Sequence, residues 1–221
     1  MSDALLECLE LEAGPGETPV GTVIWMHGLG ADATDFVPII DMLELTARLR
    51  FVFPNAPVRP VTINGGMAMR AWYDIDPSQP LSGDGDIRES ATQIAALVAR
   101  EDTRGIAADA VVLAGFSQGG VIALHLGLRH TATLRGILAL STYLHDPEGL
   151  SGELSLDNAE TPIFLAHGVQ DPMIPLTRAV TSREALTQLN YAVDWHDYPM
   201  GHEVCHPEIQ DISAWLNARY A

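Results

Sequence analysis

Two short segments carry residues whose types and spacing are typical of catalysis. The pentapeptide GFSQG at 115–119 sets Ser117 between two glycines, as expected for a nucleophilic serine. The segment GHEVCH at 201–206 can be interpreted in two ways. As H-E-x-x-H it would bind zinc, whereas His202 alone could be the general base of a serine nucleophile. The rest of the chain has to decide between a metalloenzyme and a serine hydrolase.

The residues around Ser117 predict a sharp strand-to-helix turn. The apolar run AVVLAGF precedes it, and the helical run VIALHLGLR follows it. Such a nucleophile elbow projects the serine Oγ from the carboxyl edge of a sheet, and glycines at 115 and 119 avoid a steric clash. The following helix directs backbone N–H groups at developing negative charge, the first being that of Gln118. We therefore predict that Ser117 is the nucleophile.

A serine nucleophile needs a base, and the base needs an acid that orients it. The elbow architecture sets the chain order as serine, acid, histidine. Asp171 lies in the loop GVQDPMIP, directly after the predicted strand PIFLAH, so it is the leading candidate for the acid. Asp146 and Asp157 lie in an irregular stretch and follow no strand as closely.

Three histidines follow Asp171, and their contexts differ. His196 lies inside a predicted strand, and His206 precedes a proline that is typical of a helix start. His202 comes directly after the strand AVDWHDY, at the edge where Ser117 is expected. We predict that His202 is the base.

Neither candidate metal segment has the pattern that a metal site needs. A zinc-binding H-E-x-x-H requires one continuous helix, but Pro199, Gly201 and Pro207 interrupt any helix here. The tetrad GDGD at 83–86 lacks the spacing of a calcium-binding EF-hand loop. We therefore expect no metal and no cofactor.

The elements that must position these residues alternate along the chain. The predicted strands cover 20–27, 50–56, 109–116, 135–141, 162–167 and 192–198, with a further edge strand at 4–13. The predicted helices cover 35–49, 87–100, 119–129, 177–190 and 207–220. This alternation predicts the α/β class, with a mostly parallel central sheet and helices on both faces. The length fits one domain over 1–221. The long aperiodic stretch 57–86 is typical of a binding loop.

Composition limits the partners. Twelve basic residues stand against twenty-nine acidic ones, a net charge of −17. This charge disfavours nucleic acid and anionic membrane surfaces as partners. The N-terminal residues do not resemble a signal peptide, no apolar run is long enough for a membrane span, and two cysteines indicate no disulfide framework. We expect a soluble cytoplasmic protein without stable membrane insertion.

A second donor for an oxyanion is expected after an early strand. The segment IWMHGLGAD at 24–32 ends a predicted strand in His27-Gly28-Leu29-Gly30. Its glycines allow backbone N–H groups to turn inward.

Taken together, these segments resemble the carboxylesterase and acyl-protein thioesterase (lysophospholipase-like) branch of the α/β-hydrolases, and most of all its bacterial carboxylesterases. The matching segments are HGLGADATDF (27–36), FPNAPVRPVTINGG (53–66), AWYDI (71–75), GFSQGG (115–120), AHGVQDPMIP (166–175) and YPMGHEV (198–204). They occur in family order over nearly the whole chain. The stretch SGDGDIRE at 82–89 departs from the family pattern D-E-x-G-I.

The resemblance implies an α/β-hydrolase fold and a set of site residues. It makes Ser117, Asp171 and His202 the catalytic triad, and the backbone N–H groups of Leu29 and Gln118 the oxyanion hole. The residues that it places along the acyl-binding groove are Ile63, Met67, Met69 and Trp72. It also makes a homodimer over the active-site face a candidate assembly.

The expected activity is that of a serine carboxylesterase acting on short-to-medium-chain esters, with a small-molecule ester as substrate and an acyl-enzyme intermediate. The alternative is an acyl-protein thioesterase or lysophospholipase that acts on long acyl chains. A third hypothesis, a binding protein without activity, is disfavoured because all three triad positions are filled.

Overall fold

The computed structural model describes residues 5–79 and 81–221. The first residues of the predicted domain 1–221 and of the predicted strand 4–13, and residue 80 of the stretch 57–86, lie outside the described part. The main sheet of the described residues has seven strands: β1 (Cys8–Ala13), β2 (Gly21–Met26), β3 (Leu49–Pro54), β6 (Val111–Phe116), β7 (Gly136–Leu140), β8 (Ile163–Gly168) and β9 (Val193–Tyr198). Their order across the sheet is β1-β3-β2-β6-β7-β8-β9. Only the edge strand β1 pairs in antiparallel fashion among these seven, so the predicted mostly parallel sheet is confirmed.

Alternate residues of the central strands enter two separate cores. In β2, Val23 and Trp25 pack on one face, whereas Ile24 and Met26 pack on the other. A strand directs successive side chains to opposite faces, which is why a strand covered on both sides is apolar throughout. Apolar runs such as GILAL and IFLA therefore form strands that have a neighbour on each side.

Helices cover both faces of the sheet, as predicted. The helices of the described part are α1 (Val37–Ile40), α2 (Asp84–Thr103), α3 (Gln118–Gly127), α4 (Leu176–Gln188) and α5 (His206–Tyr220). Apolar residues of α2, α3 and α4 belong to one core, and those of α1 and α5 belong to the other. No helix of the described part is both long enough and apolar enough to span a bilayer.

The predicted helix over 35–49 is wrong in most of its length, because only Val37–Ile40 is helical. The backbone of the following residues is bound by side chains of α5 instead. Ser213 Oγ accepts from the N–H of Glu44 at 3.2 Å, and Asn217 Oδ1 accepts from the N–H of Thr46 at 2.8 Å. These partners, far away in sequence, replace the hydrogen bonds that a helix would have made.

The stretch 57–86 contains more regular structure than its composition predicts. β4 (Val58–Val61) and β5 (Met67–Arg70) form an antiparallel hairpin, which a short 3₁₀ turn connects. Gly65 and Gly66 have φ angles of 67° and 78°, which only glycine adopts readily. The tetrad GDGD marks the start of α2, so this helix begins at Asp84 and not at 87. Asp86 pairs with Arg59 of the hairpin, and this contact ties the hairpin to the helix.

Candidate active site

Ser117 lies on a strained turn between β6 and α3. Its φ and ψ angles are 55° and −118°, which L-residues seldom adopt. A side chain at position 115 would collide with the backbone of Gly119, and one at 119 would collide with the carbonyl of Met26. The turn is fixed further by its neighbours: Ser117 N donates to Leu140 O at 2.9 Å, and Thr142 Oγ1 donates to Ser117 O at 2.7 Å. The structure thus holds the serine in the elbow geometry predicted from GFSQG.

Asp171 and His202 are in direct contact beyond the carboxyl ends of β8 and β9. His202 Nδ1 donates to Asp171 Oδ2 at 2.7 Å, and the carboxylate is buried. The other oxygen, Oδ1, accepts from the backbone N–H groups of Met173 and Ile174 at 2.8 and 2.9 Å. Because two backbone N–H groups of the loop after β8 fix the carboxylate, the imidazole that it binds is held in one orientation.

The pKa of Asp171 reflects two opposing effects. Burial raises it, but the hydrogen bonds from Ile174 N–H, His202 and Met173 N–H outweigh burial and leave the pKa below its ordinary value. The neighbouring His167 donates through Nε2 to Ile174 O at 2.8 Å, and burial lowers its pKa. His167 is therefore neutral near pH 7, and His202 is the ring whose positive charge Asp171 can stabilise.

The segment after β2 is held open by a buried histidine. His27 donates from Nδ1 to Gly28 O at 2.7 Å, and its Nε2 accepts from Ala56 N–H at 3.1 Å. Burial lowers the pKa of His27, which agrees with a neutral ring that donates on one side and accepts on the other. In the turns and loops of the described residues, the backbone N–H groups of Leu29 and Gln118 donate to no carbonyl.

Gln118 also organises the wall of the site through its side chain. Its Oε1 accepts from Trp72 N–H at 3.0 Å, and its Nε2 donates to Tyr73 O at 2.8 Å. The indole of Trp72 in turn donates to His27 O at 2.9 Å. One buried amide therefore connects the elbow to the segment that follows the hairpin.

A cavity of about 540 Å³ opens above Ser117, a size typical of small-molecule sites. Ser117 and His202 both line it, together with apolar side chains of the hairpin, of the Asp171 loop and of Phe116. The ring of Phe116 packs against His202 with centroids 4.7 Å apart. Among the described residues, Ser117 Oγ and His202 make no direct hydrogen bond. Such bonds are often long before substrate binds, so the absence of this bond is compatible with catalysis.

Comparison with known proteins now adds to this geometry. A family model described as Phospholipase/Carboxylesterase matches residues 8–220. The chain belongs to the phospholipase/carboxylesterase family. Acyl-protein thioesterase 1 of Yarrowia lipolytica is 35% identical over 204 residues, which cover 88% of this chain and 90% of that protein. The namesake from Neurospora crassa is 36% identical over 219 residues, covering 90% and 86%.

The structural comparison agrees with the family. The crystal structure of Arabidopsis thaliana SOBER1 matches with a TM-score of 0.85 at 25% identity, covering 91% of this chain and 99% of that one. The chain therefore has an α/β-hydrolase fold and is a serine hydrolase that acts on esters, as predicted. These relatives are fungal and plant proteins, so the special likeness to bacterial carboxylesterases stays a prediction.

Within this family member, the structure brings only some of the predicted groove residues to the cavity. Ile63 and Met69 line it. Met67 does not line it and is 65% exposed, because it opposes Val61 where the hairpin turns. Trp72 is completely buried behind the wall and makes the hydrogen bonds described above, so it supports the groove without lining it.

The second histidine of H-E-x-x-H lies away from the Asp171–His202 pair. His206 is the first residue of α5, whereas His202 belongs to the preceding turn. No cluster of three or more His, Cys, Asp or Glu side chains in the described part of the chain has the geometry to hold a metal ion.

Sequence reasoning missed several residues of this family member's site. Thr142 fixes the elbow, His167 borders the acid, and Tyr143 and Arg178 line the cavity. None of them belongs to a short motif that indicates chemistry. The only available signal was position, since Thr142 and Tyr143 follow a strand next to the one that ends at Ser117.

Proposed function

We propose that this enzyme hydrolyses long-chain acyl esters or thioesters through a serine acyl-enzyme. Ser117 is the nucleophile, His202 is the general base, and Asp171 orients and stabilises the imidazolium. The backbone N–H groups of Leu29 and Gln118 receive the oxyanion. The observation that carries the proposal is the 2.7 Å bond between His202 and a buried Asp171 at the cavity that Ser117 also lines.

The proposed steps assign one atom to each role, after Ser117 Oγ and His202 have come within hydrogen-bond distance of each other. His202 Nε2 takes the proton from Ser117 Oγ as that oxygen attacks the acyl carbonyl, and the carbonyl oxygen becomes an oxyanion beside two backbone N–H groups. His202 then gives the proton to the leaving oxygen or sulfur, which breaks the acyl bond. A water molecule repeats the sequence on the acyl-enzyme and releases the acid.

The relatives favour long acyl groups over the short-to-medium chains expected from the sequence. The two fungal relatives are both named acyl-protein thioesterase 1. The cavity supports the same choice, because Leu29, Ile63, Met69 and Ile75 give it an apolar wall along the hairpin side. An apolar wall gains affinity with each methylene that it covers, about 0.8 kcal/mol per buried CH₂.

A chain-length series tests the proposal. We expect kcat/KM to rise from C2 to long acyl esters and thioesters, measured on matched pairs with the same acyl group. A maximum at C2–C4 would restore the short-chain alternative. Ser117→Ala should lower kcat by about 10⁶, and a fluorophosphonate should label the wild type but not this variant.

Ser141→Ala is the matched control. Ser141 is buried, follows the neighbouring strand β7 and also has a positive φ, of 45°. It should keep both activity and labelling. Chelator-sensitive activity that survives Ser117→Ala would contradict the serine mechanism. The cytoplasmic location and the homodimer stay predictions.

A further inference from the structure

The arginines of the chain fall into two groups. All twelve basic residues are arginines, and eight of them form ion pairs with carboxylates. In the described part of the chain, four others form no such pair and lie over aromatic rings instead: Arg135, Arg178, Arg183 and Arg219. Of these four, Arg178 alone lines the cavity that contains Ser117 and His202.

Arg178 is exposed to solvent and is held in place by an aromatic ring, with no carboxylate paired to its charge within the described structure. Its guanidinium carbon lies 3.4 Å from the centre of the Tyr143 ring. The hydroxyl of Tyr143 is itself fixed by Tyr73, at 3.1 Å. When the face of a guanidinium stacks on a ring, the N–H groups along its edge stay available. These groups can donate two parallel hydrogen bonds to a carboxylate or a phosphate.

Arg178 lies in the first turn of its helix, where an anion is favoured. It is the third residue of α4, and the first turn of α4 contains no acidic residue. The N-terminus of a helix carries partial positive charge, so a cation there is disfavoured and an anion is favoured. Asp35 also lines the cavity, but it makes no ion pair with Arg178 within the described structure. Stacking on the Tyr143 ring stabilises this arginine, and an anion in the cavity would stabilise it further.

The same segment indicates which part of the substrate Arg178 meets. Asp171, which binds His202, lies in the loop between β8 and α4. Arg178 lies in the first turn of α4, just after this loop. His202 must give its proton to the leaving group, so the leaving group lies on the side of this loop. The apolar hairpin residues Ile63 and Met69 form another part of the cavity wall and suit the acyl chain.

We propose that Arg178 is a specificity-determining residue that binds an anionic group, a phosphate or a carboxylate, on the leaving-group side of the substrate. This inference rests on the proposed function. It narrows the substrate class to acyl esters and thioesters whose alcohol or thiol part carries a negative charge. In a chain with a net charge of −17, this local cation also offsets the general repulsion of such a substrate.

Matched substrates test the proposal. One pair is 1-octanoylglycerol 3-phosphate and 1-octanoylglycerol; the other is O-octanoyl glycolate and its methyl ester. For each pair, the ratio of kcat/KM for the anionic ester to kcat/KM for its neutral twin is measured at several salt concentrations. We expect the wild type to favour the anionic member of at least one pair, and the pair that responds identifies phosphate or carboxylate.

The variants are Arg178→Gln, Arg178→Lys and the control Arg183→Gln. Arg183 belongs to the same helix and also lies over an aromatic ring, that of Trp195 at 4.9 Å, but it does not line the cavity. Arg178→Gln should lower the ratio about tenfold or more, as expected for a charge-assisted hydrogen bond. Arg178→Lys should keep part of the ratio, and Arg183→Gln should keep all of it.

Two results would overturn the proposal: a wild-type ratio near one for both pairs, or an equal loss on both members of a pair in Arg178→Gln. Failure of the proposed function looks different. In that case kcat/KM in the chain-length series would be highest at C2–C4, or hydrolysis of the octanoyl esters would survive Ser117→Ala.

Discussion

Two buried carboxylates at opposite ends of the sheet have opposite surroundings. Asp171 lies at the carboxyl ends of the strands and receives two backbone N–H groups and one imidazole. Glu101, which is fully buried, lies at the amino ends of β2 and β3. Its partners are a hydroxyl and three guanidinium groups, all between 2.8 and 2.9 Å: Thr22, Arg50, Arg100 and Arg104.

Under the proposed mechanism, the same functional group serves stability at Glu101 and chemistry at Asp171. For both groups burial raises the pKa, and hydrogen bonds outweigh burial so that the pKa is lowered. The charge of Glu101 is already balanced by arginines. Two of the donors to Asp171 are uncharged backbone N–H groups, so in the proposed mechanism its charge stabilises the positive charge that forms on His202 when Ser117 is deprotonated.

Asp171→Asn should produce the largest effect in this comparison. The variant keeps the size of the side chain but removes its charge and favours the wrong tautomer of His202. We expect kcat to fall by about 10⁴, and the thermal midpoint to fall because the stability that the lowered pKa of Asp171 provides is lost. A loss of less than tenfold in kcat would mean that the contact between Asp171 and His202 is structural and not catalytic.

Glu101→Gln should have the reverse outcome. Removing the charge leaves three arginines around a neutral amide, and we expect the free energy of unfolding to fall by about 3 kcal/mol. Denaturant titration measures this, and kcat should stay at the wild-type value. A loss of activity in correctly folded protein would show that the two ends of the sheet are coupled.

A third buried carboxylate, that of Glu208, lies in the first turn of α5. Unlike Asp171 and Glu101, neither of its oxygens has a hydrogen-bond partner among the described residues. Burial, with the nearby charge of Asp211, raises its pKa to about 8. A carboxyl group with a raised folded-state pKa contributes stability that is complete below its unfolded pKa, near 4.3, and is lost as pH rises to about 8.

Glu208→Gln should therefore become more stable relative to the wild type as pH rises. We expect the difference in unfolding free energy to change by about 3 to 4 kcal/mol between pH 5 and pH 8. Asp171 and Glu101 act in the other direction, since stability from a lowered pKa is lost on acidification. A difference that is constant with pH would contradict the assignment to Glu208.

The sequence was sufficient where local pattern and chain order coincide. The two-faced apolar strands predicted the sheet, and the edge strand after residue 4 was confirmed as Cys8–Ala13. The order of serine, acid and histidine singled out Asp171 and His202, which are in contact. Both predictions depend on residues next to the strands concerned, so contacts from distant parts of the chain had little influence on the result.

The sequence was insufficient where a distant partner decides the structure. Residues 35–49 have helical periodicity, yet Ser213 and Asn217 bind the backbone beyond Ile40. Trp72 looked like a groove residue, but Gln118 and His27 draw it behind the wall. Arg178 could not be selected from twelve arginines until the fold showed which one faces the cavity.

The double use of Gln118 has a consequence for altering selectivity. Its side-chain amide forms hydrogen bonds with the backbone of Trp72 and Tyr73, while its backbone N–H is the proposed oxyanion donor. A redesign that shifts the 71–75 segment to admit a bulkier acyl group would therefore also displace the proposed oxyanion donor. Turnover would then fall together with the preference for the original acyl group. Changes at Ile63 or Met69, which that amide does not touch, offer a way to reshape the pocket while leaving the chemistry intact.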